Sequence, residues 1–168
     1  LHSKYENMGI IWIDAHPDVS TAKDGYPNAH AMVLGSLIGG GDSSISALMK
    51  SQKFQPNEIL YIGLQGLHDY QANFLDNIGV DYRVRTETFL SDDEIRQFAS
   101  HFNHIAVHLD IDVLDAALFH STYFANEDLV GDGSGSGRMT IEQLSHVLRC
   151  ITESADVVGL TIAEYLPF

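Results

Sequence analysis

Short apolar runs alternate with amphipathic stretches along the whole chain. Residues 9–14 (GIIWID) form a continuous apolar run that ends on a carboxylate, the pattern of a strand buried on both faces. Residues 31–38 are apolar over a helical length and stop at three glycines, after which Ser43 or Ser44 can cap a further helix through residue 50. Residues 58–64 (EILYIGL) read as a second strand. A short helix over 70–77 is closed by Gly79, and residues 80–84 read as a third strand. Ser91 stands three residues before Glu94, a capping box opening a helix over 91–102. Residues 104–110 (HIAVHLD) make a fourth strand, again apolar and ending in acid. A glycine-rich loop over 129–137 leads to a helix over 140–154, and residues 156–164 (DVVGLTIAE) close the chain as a last strand.

Strands and helices alternating at this spacing predict one α/β domain over residues 1–168, with a mostly parallel sheet between two helical layers. Ligands of such sheets bind outside the carboxyl ends of the strands. Three strands carry acids at that end: Asp14, Asp110 and Glu164. Solvating charge scatters over helices and has no reason to terminate the most apolar strands.

Composition narrows the partners. Nine Lys and Arg against 23 Asp and Glu leave a net charge of −14 in 168 residues, which argues against nucleic acid or an anionic membrane surface. With 45% apolar and 19% charged residues the chain can build a packed core. The one cysteine, Cys150, excludes a disulfide framework and reads as a buried thiol on a helix face. No signal-peptide pattern and no apolar run of membrane-spanning length is present, so the expected location is the cytoplasm. Nine histidines in so acidic a chain supply, with the carboxylates, an inventory of metal ligands.

That inventory concentrates in two motifs. Asp14-Ala15-His16-Pro17-Asp18 alternates three donors with two apolar residues where a strand gives way to a loop, and Asp110-Ile111-Asp112 repeats the spacing at another strand end. On extended backbone a period of two puts such side chains on one side. Gathering the four aspartates in one crevice is costly unless cations neutralise them, and two divalent ions carry the matching charge. Carboxylate-dominated ligation with one or two imidazoles suits Mn²⁺ better than Zn²⁺. Such a pair activates water for hydrolysis of an electrophilic carbon or phosphorus. Five other histidines (His101, His104, His108, His120 and His146) read as surface or satisfied buried residues, and Trp12 as core. The glycine-rich loop lacks the Lys-Ser/Thr that would make it a phosphate loop.

IWIDAHPDVST, then HLDIDVLD, then GLTIAEYLPF, in that order, resemble the arginase/ureohydrolase family, which includes arginase, agmatinase and formiminoglutamase. The resemblance extends over essentially the whole chain. It implies a three-layer α/β/α fold and a binuclear manganese hydrolase of linear C–N bonds in guanidino or formimino compounds, with a hydroxide bridging two Mn²⁺ ions as the nucleophile. Asp14 and Asp110 would bridge the ions, Asp18 would complete one site, and His16 and Asp112 the other. His30 matches the family's active-site histidine, a proton shuttle or substrate contact. Glu164 matches the glutamate that orients the guanidinium or amidine. Homo-oligomers are common in the family.

Departures from the family pattern carry their own expectations. The family's Gly-Gly-Asp-His segment lies farther upstream of the first motif than this chain begins, so a fragment lacking N-terminal strands and a C-terminal helix is expected. Ser20 stands where arginases usually place an asparagine, and His68 and Asp69 occupy the neighbourhood of residues that hold the substrate's α-amino group. The alternative reading is an arginase-fold protein that binds metal but is impaired in catalysis and serves assembly or regulation. A deacetylase-like enzyme with one Zn²⁺ shares the fold, but Asp112 beside Asp110 argues for two ions.

Overall fold

The computed structural model describes residues 1–49, 52–84, 89–126 and 135–167. Four strands, β1 (Met8–Ile13), β2 (Ile59–Ile62), β3 (His104–Asp110) and β4 (Asp156–Ala163), form one sheet in the order β2-β1-β3-β4. Every pairing is parallel. The two most apolar runs take the central places, as they must where both faces are covered. All six residues of β1 are buried.

Alternation along the strands sorts the core into two layers. Ile11 and Ile13 of β1 with Ile105, Val107 and Leu109 of β3 face one side, against Ile95 of helix α4 (Asp92–Ala99) and Leu144, Val147 and Ile151 of α5 (Ile141–Ser154). Met8, Ile10, Trp12 and Ala106 face the other, against Leu34 of helix α1 (Val33–Leu37) and Leu75 of α3 (Asp69–Ile78). A one-residue slip of β1 would exchange the two sets. Helices thus cover both faces, the predicted three-layer α/β/α arrangement. A further short helix, α2 (Ser43–Ser46), follows the glycines.

Helix ends follow the local chemistry. Ser91 and Thr140 accept from the backbone N–H groups of Glu94 and Gln143, whose side chains accept in return. Gly79 closes α3 in the left-handed conformation at φ 79°. Cys150 is a buried free thiol on α5, as its setting predicts.

Several elements differ from the sequence reading. Residues 80–84 form no strand: Val80 is buried beside Leu75, whereas the Tyr82 hydroxyl turns to Asp76 on α3. The cap of α2 is Asp42, whose carboxylate accepts from Ser44 N–H, in place of either serine. The stretch 31–38 begins as a 3₁₀ turn (Ala29–Met32) before α1. Of the glycine-rich loop, residues 129–134 lie outside the described residues, as does residue 50 at the expected end of the second helix. Gly135–Gly137 runs beside the second motif, with Gly137 N–H donating to Asp112 O at 2.7 Å; a Cβ at Gly137 would lie 2.0 Å from Val113 O.

β4 pairs with β3 along one edge, and its apolar residues Leu160 and Ile162 are 54% and 60% exposed. Among the described residues no helix is long and apolar enough to cross a membrane.

Candidate metal centre

Parallel pairing brings the acid ends of β1, β3 and β4 to one rim. Asp14 directly follows β1, Asp110 ends β3 and Glu164 directly follows β4. Asp14, Asp18, Asp110 and Asp112 are all buried, which isolated carboxylates avoid.

Asp14 sits at the centre of the cluster. Its Oδ1 accepts from His16 N–H at 2.7 Å, and its Oδ2 accepts from the Trp12 indole N–H at 3.0 Å. His16 Nδ1 lies 2.9 Å from Asp112 Oδ2 and 3.6 Å from Asp14 Oδ1. Asp110 turns back on its own chain and accepts from Asp112 N–H at 3.0 Å. Asp18 is placed by an irregular backbone: its φ is 52°, the Tyr61 hydroxyl donates to the preceding Pro17 O at 2.7 Å, and Gly35 N–H donates to Asp18 O at 2.9 Å. Glu164 also takes a left-handed backbone, at φ 55°. A residue other than glycine holds that conformation at a cost of about 1 kcal/mol or more, and among the described residues only Asn7, at φ 51° and away from the site, does so besides these two.

The electrostatics describe a site short of positive charge. Burial pushes Asp14 up to about 7, with Asp112 adding to the rise. Burial, then the charges of Asp112 and Asp14, push Asp110 up to about 9. Asp18 is raised well above its ordinary value by burial and by Asp14. Burial works against a charge on His16, yet Asp112 and Asp14 outweigh it and lift the imidazole to about 11. A proton on His16 therefore stands where a cation would otherwise sit. Burial pulls His108 down to about 4, leaving its imidazole neutral.

Donor atoms gather into two sets, each within 4.8 Å: Asp14, His16 and Asp112, and Asp14, Asp18 and His108. Asp14 is common to both. Asp112 Oδ1, His16 Nε2 and His108 Nε2 are buried without a hydrogen-bond partner among the described residues. Buried polar atoms are almost always satisfied; Ser46 Oγ and Thr122 Oγ1 lack partners elsewhere, but three of the five such atoms among the described residues belong to this cluster, which fits a set of metal donors. Asp110 belongs to neither set and lines the same pocket.

That pocket encloses about 340 Å³. His16, Asp18, Asp110 and Asp112 line it, together with His30 and a wall of Ser20, His68 and Tyr70. His30 is half exposed; its Nδ1 is 3.9 Å from Glu164 Oε1 and its Nε2 is 3.2 Å from the Tyr26 hydroxyl. Ser20 and Tyr70 hydroxyls are 2.9 Å apart, Gln71 donates to Ser20 Oγ at 3.3 Å, and His68 stacks on Tyr70.

All seven residues singled out from sequence (Asp14, His16, Asp18, His30, Asp110, Asp112 and Glu164) come to this rim. His104 and His146 pair with exposed Asp156 and half-buried Asp92, as surface histidines do. His108 only half fits its sequence reading: its Nδ1 is 2.8 Å from Thr161 Oγ1, but its Nε2 is buried without a partner among the described residues. The period of two that marks Asp110 also reaches back to His108, and that was the available signal. Tyr70 and Gln71, on the first turns of α3, gave none.

A sequence profile described as the arginase family matches residues 1–168. The arginase of Bacillus caldovelox is 29% identical over 119 residues, 66% of this chain and 40% of that protein. The arginase of Staphylococcus aureus strain MRSA252 is 26% identical over 176 residues, 97% of this chain and 53% of that protein. The chain thus spans about half the length of the curated relatives it matches. Among solved structures, the native arginase of Bacillus caldovelox superposes with a TM-score of 0.78 at 21% identity, covering 98% of this chain and 55% of that one. Entamoeba histolytica arginase, solved in complex with L-ornithine, gives 0.75 at 21% identity over 96% of this chain and 54% of that one.

Proposed function

This chain belongs to the arginase family, and on that premise we propose that it is a binuclear Mn²⁺-dependent hydrolase acting on linear C–N bonds of guanidino or formimino compounds. The observation that carries the reading is the pair of donor sets sharing the buried Asp14, with His16, Asp18 and Asp112 of those sets lining one pocket.

The donor set fits two hard-to-borderline divalent ions: four buried carboxylates, imidazole nitrogen, and orphaned buried donor atoms. Asp14 and Asp110 would be shared between the ions, Asp18 would serve one, and His16 and Asp112 the other. When bound, the ions supply Lewis-acid activation of a water for attack on the amidine carbon.

The chain's own residues do the rest. Glu164 at the rim offers its carboxylate to the N–H groups of a guanidinium or amidine, a charge-assisted and geometrically selective pairing. His30, beside Glu164 and open to solvent, would carry a proton between the departing nitrogen and water. Ser20, His68 and Tyr70 form the wall that meets the remainder of the substrate.

The test loads the chain with Mn²⁺, desalts it and counts the metal. Arginine, agmatine, guanidinobutyrate and formiminoglutamate are then assayed for release of urea or formamide. About two ions per chain with hydrolysis of one substrate is the expected result. Two ions without turnover of any substrate would favour a metal-binding protein of assembly or regulation.

A further inference from the structure

The second donor set contains a residue outside the five metal ligands proposed above. His108 lies on β3 two residues before Asp110, so both side chains leave the same face of the strand. Its cross-strand neighbour in β1 is Trp12, two residues before Asp14. The two rings stack with centroids 3.8 Å apart and planes within 20°. In β4 its neighbour is Thr161, whose Oγ1 is 2.8 Å from His108 Nδ1.

These contacts fix the ring in plane and in rotation, and they leave Nε2 buried with no partner among the described residues. A stack on tryptophan alone would be served by phenylalanine, which brings no nitrogen to satisfy. The orphan belongs instead to a ring that sits with Asp14 and Asp18 in a set of donor atoms all within 4.8 Å of one another. With a proton on Nδ1 donated to Thr161, the Nε2 lone pair is the free donor. The threonine hydroxyl can accept from Nδ1–H, so this contact accommodates the tautomer a metal ligand needs, a common arrangement around ligating histidines.

We propose that His108 Nε2 is a direct ligand of the ion held by Asp14 and Asp18, with Thr161 as its positioning residue. This assignment rests on the reading of the cluster as a metal site and adds a ligand to it. The Trp12 side chain then touches both an imidazole and a carboxylate of one ion: it stacks on His108 and donates to Asp14.

The experiment is a metal titration of the chain and of the variants His108→Phe, His108→Gln and Thr161→Val. Mn²⁺ is counted by equilibrium dialysis, and Co²⁺ is followed by quenching of Trp12, the chain's one tryptophan. His108→Phe keeps the stacked ring and removes the nitrogen, so loss of about 100-fold in affinity for one ion is expected, with the other ion retained. Thr161→Val should cost about 10-fold at the same ion, the usual scale of an outer-sphere partner. Unchanged binding of both ions by His108→Phe and His108→Gln overturns the assignment and leaves the binuclear reading standing. One ion in the parent chain and none in the variants supports His108 while overturning the binuclear reading. No ion in the parent chain overturns both. Should the variants fail to fold, ¹⁵N-histidine NMR of the parent chain with Zn²⁺ decides: a coordination shift at His108 Nε2 supports the assignment, and its absence with Zn²⁺ bound overturns it.

Discussion

Raising the pH from 7 to 9 should destabilise the metal-free chain, opposite to the behaviour of carboxylates held by salt bridges. Asp110 is lifted from 3.8 to about 9 by burial and by Asp112, and His16 goes from 6.5 to about 11 because Asp112 and Asp14 outweigh burial. Across this interval the unfolded chain has released both protons, whereas the folded chain still holds most of both. The folded state binds more protons, so its stability falls as pH rises. Groups of opposite sign act elsewhere: His108, lowered from 6.5 to about 4, contributes below 6.5, and Asp92, lowered from 3.8, contributes below that value. Each extra proton held corresponds to about 1.4 kcal/mol per pH unit, so these two alone correspond to about 2.7 kcal/mol per unit, and the raised Asp14 and Asp18 act in the same direction. Water reaching the open side of the pocket lowers that, and a fall on the order of 2–3 kcal/mol over the interval is expected. Urea unfolding with EDTA, followed by Trp12 emission at pH 7, 8 and 9, measures it. Saturating Mn²⁺ displaces the protons and should abolish the fall. A metal-free chain equally or more stable at pH 9 would refute the picture of a carboxylate cluster held together by protons.

Other outcomes follow from single contacts. Asp110→Asn should weaken binding of both ions and Asp112→Asn mainly one, read by Mn²⁺ titration; equal and negligible effects would remove the bridging role of Asp110. Trp12→Phe keeps the stack on His108 but removes the donor to Asp14 Oδ2, so metal affinity should drop about 10-fold or more while the fold persists by circular dichroism. Gly137→Ala drives a Cβ to within 2.0 Å of Val113 O, backbone against backbone, and should cost several kcal/mol, on the order of 3, in urea unfolding. Thr140→Ala removes the cap of α5 and should cost about 1 kcal/mol by the same measurement.

The strand ends were the most legible part of the fold. A fully buried parallel strand reads as an unbroken apolar run, and β1 and β3 announce both their burial and the acids at their tips. The false strand at 80–84 shows the limit of such patterns. Alternation in Val80-Asp81-Tyr82-Arg83-Val84 satisfies a period of two, but a ladder needs a neighbouring edge, and Tyr82 instead bonds α3. The motifs singled out the proposed metal ligands because their spacing is local. His108 escaped because its meaning is not local: only the registers with Trp12 and Thr161 reveal which nitrogen is engaged and which is left over. Tyr70 and Gln71 reach the pocket through the placement of α3, and no period in their own segment signals it.

The left-handed backbones of Asp18 and Glu164 bear on how such a site survives mutation. Glycine takes that conformation freely, and the saving of about 1 kcal/mol or more roughly offsets the extra freedom glycine gives the unfolded chain. Asp18→Gly would also remove a carboxylate that burial penalises. In the metal-free chain the loss of this ligand is therefore neutral or stabilising. A screen that ranks variants by heat resistance alone would therefore favour erasing this carboxylate, and under the proposed function only a requirement for the ion it would hold opposes that slope.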